Sequence, residues 1–371
     1  MKILFLGHFS NSNSVHSGAS AAGDVVQRKI VRSLEGISNA EVRSISQPTA
    51  QSWPKGKFFF VKSRDSYSVF PGLVNVAFLR DFLFGFSCFC HIIRFKPDNV
   101  IQYNSYLFVN VFVLLASMFL KFRKVMIIQD YRSGPQFKLI SRLHDKIAGT
   151  LVRFYSFSVP VTEALARELK LQKCRFAIFP GAMEFDGSFN GERDLGQVSE
   201  VGGLTLVYAG ALEKHNGVDK LIRIWKSMPE NHKLMIFGKG SLEGKVVVAD
   251  REMVNITYCG FASKDYVHER MVSADFNICF RFGDGIDERF FFPSKFFSVN
   301  CYPGFALIND FYGLPDGFRE LGYLMKDDLS NLSEIINLDR SVLNEQTKKR
   351  QEYLYSNYRW PVFLREILFS D

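Results

Sequence analysis

Metal-ligand spacing is missing from this 371-residue chain. Its six cysteines, at positions 88, 90, 174, 259, 279 and 301, include no Cys-x-x-Cys pair and no Cys/His cluster. Cys88-x-Cys90 is too tight for a zinc knuckle. Their apolar surroundings predict reduced core thiols in a cytoplasmic protein, and nothing requires a metal. Also missing is an uninterrupted apolar run of roughly 20 residues, the length that spans a bilayer. Residues 73–93 are broken by Arg80-Asp81, and residues 106–120 are short and contain Asn110. Both read as buried helices of an α/β domain, with contact at a membrane surface as the alternative. The opening MKILFLGH starts directly as a strand, without a basic-then-apolar leader. A G-x-G-x-x-G fingerprint is absent, which argues against a dinucleotide site of the usual kind. No compact basic–aromatic stretch marks a nucleic-acid binder.

Acidic residues are scarce in the first half. Residues 1–182 carry 24 Lys+Arg against 10 Asp+Glu, a net of +14, whereas the remainder carries −6. Such asymmetry either turns one domain toward an anionic surface, a membrane or a nucleic acid, or is scattered over a solvated one. Phenylalanine is abundant, at 38 residues. Most aromatics fill cores, and an excess can also form an exposed apolar face for a lipid-linked partner. With 47% hydrophobic and 23% charged residues the chain is a folded one, and its length divides naturally into two domains.

Strand and helix patterns alternate, which indicates parallel sheets with crossover helices. In the first half, strands are expected at 2–7, 98–103, 125–130, 156–161 and 175–179. Helices are expected at 22–34, 73–95, 107–121, 138–153 and from Thr162-Glu163 to about 169, while 40–70 reads as irregular. Residues 180–203 have a linker's polar, Gly-rich composition. The second half restarts with strands at 204–208, 233–237, 255–259, 276–280, 305–308 and 322–325. Its helices fall at 217–226, 264–272, 329–336 and 342–355. An amphipathic end, 360–369, is suited to pack back onto the first domain. Domains are therefore placed at 1–182 and 183–355, with 356–371 as a returning helix. In such folds ligands gather beyond the C-terminal ends of the strands, and two facing domains would share one cleft.

The richest stretch is 274–310, ADFNICFRFGDGIDERFFFPSKFFSVNCYPGFALIND. Its loop carboxylates, Asp284, Asp287 and Glu288, can accept hydrogen bonds from sugar hydroxyls. Ser294 and Lys295, opening a helix after Pro293, favour an anion. That pairing suits a nucleotide sugar. Other strand-end candidates are Asp130, a carboxylate able to act as general base or to orient a hydroxyl, and Arg132 beside it. A small-residue loop with His16, Gly18 and Ser20 follows the first strand. In the second half Gly210 precedes Lys214, which is placed for a diphosphate, and Gly238 and Gly240 form a tight loop suited to a base. Each also has an ordinary structural reading as a cap, a turn or an incidental loop residue.

The order LTLVYAG, NGVDKLI, KLMIFGKG, ITYCGF, SADFNICF and FPSK, then an apolar strand, resembles the C-terminal domain of retaining family 4 glycosyltransferases over about residues 200–325. The likeness is weaker in the first half. It implies the α/β GT-B architecture, two Rossmann-like domains facing an interdomain cleft. It implies a donor site with Gly238 and Gly240 near the base and Ser294 and Lys295 near the diphosphate. Glu288 would lie near the sugar hydroxyls, with Lys214 and Arg281 adding positive charge. Acceptor binding would fall to the first domain, near Asp130, Arg132 and the 16–20 loop. The resemblance implies no cofactor beyond the nucleotide-sugar substrate, and a glycan or lipid-linked acceptor. With the basic first domain it implies attachment to the inner face of a cytoplasmic membrane. Three departures stand out. Ser298 occupies the place of a ribose-binding Glu, and Ala211 and Asn216 replace a basic pair. Pro303-Gly304-Phe305 stands where the family often has Gly followed by Lys-Pro. They keep open a non-catalytic nucleotide- or sugar-binding protein, and less so an epimerase, which would need acids in both domains.

Overall fold

The computed structural model describes residues 1–9, 21–64, 68–131, 139–172, 175–183, 203–283 and 288–369. Two compact units form. The first comprises Met1–Pro180, Arg289–Phe291 and Trp360–Asp371; the second comprises Gly181–Glu288 and Phe292–Arg359.

Unit 1 is built in chain order from β1 (Lys2–Gly7), α1 (Ala21–Glu35), β2 (Glu41–Ser46), β3 (Phe60–Arg64) and β4 (Val69–Val74). Then follow α2 (Leu79–Phe95), β5 (Asn99–Tyr103), α3 (Leu107–Phe119), β6 (Arg123–Ile128), α4 (Leu139–Val152), β7 (Phe157–Pro160) and α5 (Glu163–Glu168). The sheet runs β3-β4-β2-β1-β5-β6-β7. All neighbours are parallel except the β3–β4 hairpin at one edge. β5 is buried at every position and β1 at all but the first, as expected of central strands covered on both faces. The crossovers β4→β5, β5→β6 and β6→β7 all advance the same way, so the right-handed rule puts α2, α3 and α4 side by side on one face. The β1→β2 crossover runs the other way, which puts α1 on the opposite face.

Unit 2 holds β8 (Thr205–Ala209), α6 (Val218–Trp225), β9 (Lys233–Phe237), α7 (Glu243–Glu252), β10 (Ile256–Gly260), α8 (Lys264–Ser273) and β11 (Phe276–Cys279). It continues with α9 (Lys295–Asn300), β12 (Phe305–Asn309), β13 (Tyr323–Met325) and α10 (Arg340–Asn357). Its sheet is wholly parallel, in the order β10-β9-β8-β11-β12-β13. One face is covered by α6, whose Val218, Leu221, Ile222 and Trp225 recur at helical spacing and are buried. The other carries a phenylalanine cluster in which Phe296 of α9 stacks on Phe318 with centroids 5.0 Å apart. The last helix, α11 (Trp360–Phe369), belongs to unit 1, where it packs on α1 and brings Phe363 onto Phe179 with stacked centroids 4.0 Å apart.

Several expectations need correction. The single helix over 73–95 divides. Residues 69–74 form β4, and α2 starts only at Leu79, after a left-handed Phe78 at φ 63°. Asn75 fixes the break by donating to Gln51 O (2.8 Å) and Lys57 O (2.7 Å). The supposedly irregular 40–70 contains β2 and β3. The strand at 175–179 reduces to one bridge, Ser158–Phe176, before Pro180 removes the next donor. The helix at 329–336 is a 3-10 segment, Leu332–Asn337. α7 fills residues 243–252, where the sequence pattern gives no helix. Thr162 does cap α5, accepting from Leu165 N at 3.2 Å.

Candidate functional site

In a doubly wound sheet the loops diverge where the strand order reverses, and the crevice left there is the natural ligand position. In unit 2 that point lies between β8 and β11, so it is bordered by the residues after Ala209 and Cys279. Gly210 N donates to Phe237 O at 3.0 Å, and Gly238 N donates to Gly260 O at 2.8 Å, which stitches the ends of three adjacent strands together. Gly238 has φ 131°, and a methyl group on it would overlap Gly210 O. Only glycine lets these two strand ends meet. A Cβ on Gly240 would likewise overlap Leu212 O, though less severely.

Lys295, the first residue of α9, brings its side chain to this glycine floor. Its Nζ lies 3.7 Å from the Tyr208 ring centroid and against Gly210, so that a Cβ at 210 would collide with it. The ammonium is buried and has no hydrogen-bond partner among the described residues. Burial pulls its pKa down to about 8; the Cys279 charge would raise it and the Arg281 charge lowers it. Burial also pushes the Cys279 thiol up to about 11, so at neutral pH this neighbour is uncharged.

Arg281 is held by its backbone. Its N–H donates to Asn309 Oδ1 at 2.7 Å and its carbonyl accepts from Asn309 Nδ2 at 2.6 Å, which joins the end of β11 to the end of β12. Its buried Nε lacks a partner among the described residues, and burial lowers its pKa. Glu288 acts on Arg281 electrostatically, lies against Gly283, and accepts from Tyr312 N at 3.4 Å. Two desolvated cations at one strand mouth, each with an N–H unsatisfied among the described residues, form a site that an oxygen-rich anion would complete.

The remaining predicted residues of unit 2 are less engaged. Ser294 is exposed and makes no side-chain cap bond, and α9 is only six residues long, too short for a strong dipole. Ser298 is half-buried in α9. Lys214 is exposed in a 3-10 turn, Lys214–Asn216. Asp284 and Asp287 lie outside the described residues. Three residues that the sequence did not point to shape the site. Tyr208 floors Lys295 and donates to Ala211 O at 2.7 Å. Asn309 clamps Arg281. Glu213 accepts from Ser241 N at 3.0 Å and from its hydroxyl, bonds that hold its carboxyl low.

The reversal in unit 1 lies between β1 and β5. There His8 stacks on Tyr106 with centroids 3.8 Å apart. Burial, and then the Arg80 charge, hold its imidazole down at about 3, with Gln47 opposing, so it is neutral at physiological pH. Asp130 is exposed just beyond β6, and Asn104 orients it by donating to Oδ2 at 3.0 Å. Asn104 Oδ1 in turn accepts from Gln129 N (2.8 Å) and Asp130 N (3.1 Å). Its φ of 59° suits an asparagine whose side chain bonds locally. The other acceptor-side residues, His16, Gly18, Ser20 and Arg132, lie outside the described residues.

No family model matches the chain, and no curated protein matches it. Solved structures do. A lipopolysaccharide outer core galactosyltransferase, WaaB, in its apo form, is 16% identical, covers 99% of both chains and gives a TM-score of 0.61. Sucrose-phosphate synthase from Thermosynechococcus elongatus is 12% identical over 99% of this chain and 98% of its own, with a TM-score of 0.67. Anabaena HepE in complex with UDP is 14% identical with the same coverages and a TM-score of 0.66. At such identities the likeness speaks for architecture, and these are GT-B proteins matched along their whole length: this chain has the GT-B fold.

Proposed function

We propose that the chain is a glycosyltransferase that moves a sugar from a nucleotide-diphosphate sugar to an acceptor hydroxyl. The observation that carries this reading is the buried Lys295 ammonium beside Arg281 at the strand reversal of unit 2, without a hydrogen-bond partner among the described residues. When the bond between sugar and diphosphate breaks, negative charge grows on the leaving phosphate. Preorganised cations in a water-poor site stabilise that charge more than they stabilise the ground state. Gly210, Gly238 and Gly240 give the nucleotide close access to backbone, Lys214 adds an exposed charge, and Glu288 accepts sugar hydroxyls. In unit 1, Asp130 orients the acceptor hydroxyl or takes its proton. Further support comes from the structural relatives, one of which is a lipopolysaccharide core galactosyltransferase and one of which was solved with UDP. We assign the acceptor to the lipid-linked or surface-polysaccharide class, with retention at the anomeric carbon and a cytoplasmic location.

A second reading, a non-catalytic nucleotide- or sugar-binding partner, draws on Ser298 standing where a carboxylate would hold the ribose. A thermal-shift screen of nucleoside diphosphates and their sugars, followed by donor incubation, separates the two. The transferase raises its melting temperature with one nucleotide series and slowly hydrolyses the matching donor. A binder shows only the shift, and an epimerase would interconvert free donors.

A further inference from the structure

We propose that the outer face of α2, α3 and α4 in unit 1 docks on an anionic lipid bilayer. α3, LFVNVFVLLASMF, contains no charged residue. It turns Val109, Val113 and Ala116 inward and leaves Val111, Leu115, Met118 and Phe119 outside, the last two 79% and 67% exposed. α4 repeats the pattern. Ala148, Gly149 and Val152 are buried, while Leu139 and Ile140 are 71% and 72% exposed and Leu143 and Ile147 continue the same face. On α2, the exposed Phe82 and Phe86 meet Phe112 of α3 edge-on, with centroids 5.5 Å and 5.9 Å apart. The three helices are neighbours, so these residues form one apolar surface rather than scattered exposures. α1, on the other side of the same sheet, shows the ordinary arrangement and exposes Arg32 and Glu35.

Charge decides the occupant. Lys121 follows α3, Lys146 lies on α4 and Arg153 follows it, all exposed. The acids of these helices are not set against them: Asp145 is buried, and Asp81 receives Gln47 Nε2 at 2.5 Å. A second copy meeting this face would bring like charges together. Anionic headgroups over an apolar layer match both features, with the long basic side chains reaching outward past the apolar surface. At 13 residues α3 extends roughly 20 Å, short of the ~30 Å hydrocarbon core, and no helix among the described residues is long and apolar enough to cross a membrane. The contact is therefore in the plane of the interface.

The full chain is sedimented with vesicles of phosphatidylcholine alone or mixed with phosphatidylglycerol. Binding is expected to the mixed vesicles and to weaken with salt. Lys121→Gln and Lys146→Gln should each reduce it about fivefold. Met118→Asp with Ile140→Asp should abolish it while thermal unfolding and donor hydrolysis stay unchanged. Should that pair fail to fold, Ile140→Asp alone and the two lysine variants give the same answer. Equal binding to both vesicle types, or none, overturns the proposal. So does a dimer in sedimentation velocity that Ile140→Asp dissociates, which would assign the face to a second copy.

Discussion

The ammonium of Lys295 stands 3.7 Å from the centre of the Tyr208 ring, with the backbone of Gly210 at its side and no acceptor oxygen bonded to it among the described residues. A cation buried this way is held by the ring quadrupole and by position. Lys295→Ala should lower donor-dependent turnover on the order of a hundredfold, with melting temperature kept or raised, because a buried charge without a hydrogen-bond partner among the described residues is removed. Unchanged turnover would remove Lys295 from the donor site. The pKa near 8 adds a second readout. Between about 8 and the unfolded value of 10.5, the free folded protein has released a proton that a bound diphosphate would restore. Calorimetry at pH 8.5 in buffers of different ionisation enthalpy should show proton uptake on nucleoside diphosphate binding, and Lys295→Met should lose it.

Gly238→Ala tests the glycine floor. The new methyl group would overlap Gly210 O at a φ of 131°. A loss of about 2–4 kcal/mol in urea unfolding is expected, together with weaker nucleotide binding. An Ala variant as stable as the parent would show that the strand ends can part.

Glu288→Gln keeps shape and removes charge. The Tyr312 N contact survives on an amide oxygen, so folding should change little. Titration should show weaker binding of the nucleotide sugar and smaller change for the bare nucleotide. Equal losses for both ligands would argue against a contact with the sugar.

His8 supplies an acid-sensitive element. Its folded pKa of about 3 lies below the unfolded 6.5, so the unfolded chain binds the extra proton between those values. Stability is fully present above about 6.5 and is lost as pH falls toward 3, at up to about 1.4 kcal/mol per pH unit from this group. Chemical denaturation of His8→Phe between pH 7 and pH 4.5 should give a shallower decline than the parent. Parallel curves would place the acid sensitivity elsewhere.

The second half was the more legible from sequence, because its strands are short apolar runs, each ended by a glycine or polar residue: Tyr208-Ala209-Gly210, Phe237-Gly238, Cys259-Gly260. The edge hairpin of unit 1 was not. β4 contains Pro71 and pairs with β2 at a single register position, Ile45–Val69. Its apolar residues merge in sequence with those of α2, and only Asn75, through bonds to residues distant in the chain, shows where the strand ends. α7 was hidden by Val246-Val247-Val248, which reads as strand, although Val246 and Ala249 are its buried contacts. At the site, Lys295 and Gly238 were visible as residue types beside strand ends. Tyr208 and Asn309 were not, since an aromatic inside a strand and an asparagine at its end look structural until the fold sets them against Lys295 and Arg281. The phenylalanine excess was legible only as two alternatives, and both occur: a stacked core around Phe296 and Phe318, and open rings on α2 and α3.

Unit 1 is assembled from three separate lengths of chain, with Arg289–Phe291 and everything from Trp360 onward returning to it. The polypeptide therefore passes from one unit to the other four times, and no single cut yields two self-sufficient halves. A fragment ending at Pro180 would leave Phe179 without the Phe363 and Trp360 rings it packs on, and α1 without α11. Expressing either half alone should give insoluble or protease-sensitive material, whereas co-expressing a fragment ending in the 184–202 stretch with its complement should restore a soluble pair.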